Sequence, residues 1–106
     1  MNDTRTLRTL GCSLPDGEAG ERRAEVGRLF AQSTAATTLP DGIELEYPGD
    51  ETTTRALFDF VVFERGCCAQ LGFELRFAPP HRVVRLRITG APEFVLPIRS
   101  FAGVSE

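Results

Sequence analysis

Phe58-Asp59-Phe60-Val61-Val62-Phe63-Glu64-Arg65-Gly66-Cys67-Cys68-Ala69-Gln70-Leu71-Gly72-Phe73-Glu74-Leu75 holds two periodicities joined at a glycine. Before Gly72 the apolar residues recur at helical spacing. After it, Phe73-Glu74-Leu75-Arg76-Phe77 alternates apolar and charged, the mark of a half-buried strand. The stretch therefore predicts an amphipathic helix from about Thr53 to near Gln70, followed at once by a strand. Asp50 or one of Thr52 to Thr54 supplies its cap.

On a helical wheel advancing about 100° per residue, Leu57, Phe60, Val61, Cys67, Cys68 and Leu71 share one arc of roughly 120°. Glu64 falls near the middle of that arc, one turn before Cys68. Two thiols and a carboxylate thus share the core-facing stripe. An ionised carboxylate cannot stay buried alone, so Glu64 must be paired with an arginine such as Arg65 or Arg23, protonated, or near water.

Outward from this helix, Val84-Arg85-Leu86-Arg87-Ile88 alternates and pairs with the strand at Phe73 to Phe77 across the turn Ala78-Pro79-Pro80-His81. Upstream, Thr37-Thr38-Leu39 and Ile43-Glu44-Leu45-Glu46-Tyr47 flank Pro40-Asp41-Gly42, a hairpin in which Asp-Gly supplies the turn. A helix from Ser13 to about Gln32 has Ala19, Val26, Leu29 and Phe30 as its apolar face. Its solvated face holds Glu18, Glu21, Arg22, Glu25 and Arg28. Leu7 to Cys12 reads as a first strand, and Glu93 to Phe101 as a short helix or edge segment. The order predicts an α+β domain: a mainly antiparallel sheet with two helices on one face, in a ferredoxin-like β-α-β-β-α-β arrangement plus an extra strand. One domain is expected over residues 1–106, with an ordered core at about 7–98.

The composition narrows the function classes. With 106 residues, 42% hydrophobic and 25% charged, the chain can bury one real core. A net charge of −3 and the absence of a basic cluster argue against a nucleic-acid partner. No apolar run approaches the ~18 residues of a membrane span, and the N-terminus has no secretory pattern. A cytoplasmic location follows as the expectation, and the three cysteines are then reduced thiols rather than a disulfide framework.

Thiolates favour soft ions such as mercury(II), copper(I) or zinc. Cys67 and Cys68 are the candidate ligands, with Cys12 as a third if the fold brings it close. A ferredoxin-like crossover would set Cys12 on the opposite edge, which leaves the adjacent pair the firmer assignment. Side chains of adjacent helical residues diverge by about 100°, so Gly66 is expected to permit a bend that turns both sulfurs to one ion. Glu64 and Arg65 would stand behind the thiols, fixing the helix end and tuning thiolate formation. The competing reading makes the cysteines core filler in a structural or interaction module, a homodimer being one form of it. A thiol redox sensor is a third. No Cys-x-x-Cys, phosphate loop, nucleophile elbow or paired-His motif is present, so an enzyme is the less expected class.

Glu64-Arg65-x-Cys67-Cys68, followed by Phe73-x-Leu75 and Leu86-x-Ile88-Thr89-Gly90, resembles a group of small bacterial proteins sharing a Glu-Arg-x-Cys-Cys motif. Cys12, just before the first helix, also matches, and the resemblance spans about residues 7–98. Some members are associated with heavy-metal, especially mercury, resistance. The resemblance therefore implies metal handling by the cysteines. This chain departs from the pattern after the pair, where Ala69 and Gln70 replace a proline and an aromatic.

Overall fold

A computed structural model describes residues 16–103 of the chain. Among these the order is α1 (Asp16–Ala31), β1 (Ala35–Leu39), β2 (Gly42–Pro48), α2 (Glu51–Cys67), β3 (Gly72–Phe77), β4 (Val83–Thr89) and α3 (Pro92–Phe101). The strands form one antiparallel sheet in the order β1-β2-β4-β3. No helix among the described residues is long and apolar enough to cross a membrane.

The α+β class and the antiparallel sheet are as expected; the helix count and strand order are not. Three helices are described rather than two, because Glu93 to Phe101 is helical despite Pro97. That proline removes one backbone donor, but buried Val95, Ile98 and Arg99 hold the helix to the core. In a ferredoxin-like sheet the first strand would lie beside β2. Here β2 has β1 on one side and β4 on the other, joining two hairpins through α2. The strand expected at Leu7 to Cys12 lies outside the described residues.

Alternation builds the core. Ile43, Leu45 and Tyr47 of β2 and Val84, Leu86 and Ile88 of β4 are buried, and all belong to one cluster with residues of the three helices. The helices therefore share one face of the sheet. Opposite them, Arg85 meets Glu46 and Arg87 meets Glu44, each at 3.2 Å. Tyr47 donates to the Leu29 carbonyl at 2.9 Å, tying β2 to α1, and burial pushes its phenol well above the usual range. Edge-to-face contacts run from Phe101 to Phe30 to Phe60 to Phe73, with centroids 5.8–5.9 Å apart.

Asp-Gly marks the first hairpin, but the glycine's job differs from the expectation. The two loop residues are Pro40 and Asp41, and Gly42 is already in β2, opposite Leu39 and Thr89. It lies so close to β4 that a Cβ would stand 1.9 Å from the Ile88 carbonyl oxygen. Arg99 of α3 closes the hairpin, its buried guanidinium donating to the carbonyls of Gly42 and Leu39.

The position of α2 is set at its start. Asp50 caps it, accepting from the Thr53 N–H at 3.0 Å, and that bond holds the carboxyl below its ordinary value. A depressed carboxyl contributes stability above its unfolded value and loses it as pH falls through the folded one. Asp50→Ala is expected to lower the thermal midpoint by a few degrees at neutral pH. The deficit should vanish in acid once the wild-type carboxyl is protonated. Thermal melts of both proteins across that range check this.

Candidate functional site

At the C-terminal end of α2 the sequence places a carboxylate on the buried stripe, and Glu64 is there, 1% exposed. Its partner is neither Arg65 nor Arg23. Arg22 of α1 donates from Nε to Glu64 Oε2 at 2.9 Å, while Arg65 is exposed in the last turn of α2. The wheel of α1 puts Arg22 on the solvated face, and the structure corrects this. Arg22 shares a face with Val26 and Leu29 at spacings of four and seven, which is the signal for its inward side.

Two aromatic rings hold the guanidinium. Its carbon lies 4.1 Å from the Phe63 centroid and 5.8 Å from that of Phe60, and its Nη1 reaches Glu25 at 3.2 Å. Nη2 is buried with no hydrogen-bond partner among the described residues. The outer side of Arg22 lines a groove of about 440 Å³ between α1 and α2, together with Glu25, Leu29, Asp59 and Phe63.

The second oxygen of Glu64 faces sulfur. Cys68 Sγ donates to Oε1 at 3.6 Å, and Cys68 is 2% exposed. Burial pushes the Glu64 carboxyl up; the Arg22 bond and charge, and then the Cys68 contact, act the other way without cancelling it. The group is thus a better proton acceptor than an exposed glutamate, set against a thiol.

Cys67 and Cys68 part company at the helix end. Cys67 is the last residue of α2 and half-buried against the core; Cys68 is its C-cap, with φ −126° and ψ 74°. The chain turns at Cys68 itself, not at Gly66, which remains inside the helix with open space around it. The helix stops three residues before the expected Gln70, although Cys68 still donates its N–H to the Glu64 carbonyl at 2.7 Å. Cys67 and Cys68 are not joined to each other by a disulfide. Among the described residues no group of three or more His, Cys, Asp or Glu is arranged to hold a metal ion. A three-sulfur centre would require Cys12, which lies outside the described residues.

The arrangement can move a proton without changing its charge. Glu64, paired with Arg22 at 2.9 Å, accepts from the Cys68 thiol at 3.6 Å, and transfer of that proton leaves the net charge of the three groups as it was. Comparison with known proteins finds no matching family model, curated protein or solved structure.

Proposed function

We propose that this protein captures a soft metal ion, mercury(II) or copper(I) before zinc, on Cys67 and Cys68, acting as a carrier or sink. Cys12 is the third ligand in this reading. The observation that supports it is the Cys68–Glu64 contact beneath Arg22. Metal capture requires the thiol to lose its proton, and here an acceptor of raised proton affinity sits against the sulfur. Cys67, half-exposed, meets the ion first. Cys68 follows when the last turn of α2 loosens, as helix ends do. Thiol ligands stay reduced in the cytoplasm, and this reading locates the protein there.

The burial of Cys68 favours a second reading, in which it packs as a small core hydrophobe and the pair binds nothing. Mass spectrometry of the reduced protein separates the two. With one equivalent of mercury(II) and excess competing monothiol, the wild type is expected to retain the ion and Cys67→Ser/Cys68→Ser to lose it. Loss by both proteins, or equal retention by both, removes the metal reading.

A further inference from the structure

The outer edge of β3 faces no strand among the described residues. On the sheet face away from the helices, this strand exposes Glu74 and Arg76. Arg76 stands opposite Arg85 in the β3–β4 register, and Arg85 is already engaged by Glu46. Arg76 itself makes no ion pair among the described residues. On the helix side of β3, Leu75 is half-buried and Phe77 is 54% exposed. Phe58 and Val62, one turn apart on α2, are 58% and 44% exposed. They occupy the flank of α2 opposite Phe63, whose ring contacts Arg22 of α1.

We propose that a second copy of this chain docks on this edge, with β3 antiparallel to β3 about a two-fold axis at Leu75. The two four-stranded sheets then become one. Charge selects the register. Sheet pairing must keep the apolar residues of both strands on the helix side, which permits only slips of whole residue pairs. Centred on Leu75, Glu74 of each copy lies opposite Arg76 of the other, and Phe73 lies opposite Phe77. Centred one residue earlier, Glu74 meets Glu74; one residue later, Arg76 meets Arg76. Like charges directly opposite are destabilising, so the Leu75 register stands alone among the three. It gives Arg76 an acid that none of the described residues of its own chain supplies. Because α2 lies over β3 through the Phe60–Phe73 contact, the pairing also sets the two α2 helices side by side and covers Phe58 and Val62. The contact is isologous and closed, so it ends at two copies.

Sedimentation equilibrium of the full chain, with melting curves to confirm folding, tests this. The wild type is expected to be a dimer. Glu74→Arg and Arg76→Glu should each weaken self-association about ten-fold or more, since both symmetry-related pairs turn repulsive. Mixed one to one, the two variants should form a heterodimer. At these two positions one variant is wholly basic and the other wholly acidic, so opposite charges meet only across the mixed interface. A wild type that stays monomeric overturns the proposal. If its outward β3 amides are then protected from hydrogen exchange, the chain's own residues 1–15 cover the edge instead. A dimer unmoved by either reversal, or variants that fold but do not combine when mixed, overturns it equally.

Discussion

Arg22→Met is expected to cost about 3–5 kcal/mol of folding stability at neutral pH, the penalty for removing one partner of a buried ion pair. Glu64 is almost wholly enclosed, and Arg22 is the cation that reaches it. Methionine keeps much of the packing against Phe60 and Phe63 but leaves the carboxylate, among the described residues, with Cys68 as its side-chain partner. The carboxyl must then rise further and take up a proton. The sign of the pH dependence follows from that rise. A carboxyl raised in the folded state binds more protons there than in the unfolded chain between its two values. Its contribution is therefore complete below the ordinary glutamate value and is lost as pH rises through the folded value. The variant's deficit should be largest at neutral pH and shrink at about pH 5, nearer the ordinary glutamate value. Urea titrations at the two pH values decide it. An equal deficit at both would mean that Arg22 matters for its packing and not its charge.

Gly42→Ala is expected to be as damaging, for a steric reason. The added methyl would stand 1.9 Å from the Ile88 carbonyl oxygen, 2.8 Å from its carbon and 2.9 Å from the Thr89 Cα. All three are backbone atoms of β4, a central strand, so no side chain can turn aside. Either β2 separates from β4 or the register slips, and the loss should be about 3 kcal/mol or more, at or beyond the upper range for overpacking. Tyr47 is the only tyrosine and the chain has no tryptophan. Its near-ultraviolet circular dichroism therefore reports the packing of β2 directly. Gly66→Ala is the control. That position is exposed in α2 with nothing within 4 Å of the new methyl, so the change should add up to about 1 kcal/mol. If both substitutions behave alike, close approach is not what holds Gly42 in place.

Local pattern carries most of the elements. The alternation of β2, β3 and β4 and the Asp50 cap of α2 are short-range features, and the structure repeats them almost residue for residue. Strand order is different in kind: which hairpin edge meets which depends on contacts some forty residues apart. Nothing within β2 announces that β4 lies beside it. The end of α2 is hard to place because Leu71 continues the apolar period, whereas the backbone leaves the helix at Cys68. Gly42 reads as a turn residue because Asp-Gly is a turn signal, and the same dipeptide serves a strand that must approach its neighbour closely.

At the candidate site, burial of Glu64 is legible from the wheel, and so is its closeness to Cys68. The identity of its cation is not. Arg22 and Arg23 are adjacent, and on a helix that one-residue difference is about 100° of direction. Gly20 and Gly27 dilute the apolar face that would otherwise fix the phase of α1. The i, i+4, i+7 relation of Arg22, Val26 and Leu29 decides the question once it is noticed.

The line of rings from Phe101 through Phe30 and Phe60 to Phe73 crosses α3, α1, α2 and β3 in turn. Each ring beds on the edge of the next, so no helix can lift from the sheet without disturbing a neighbour. Heating should accordingly melt the described elements in one transition, with the same midpoint at β3 as at the C-terminal helix.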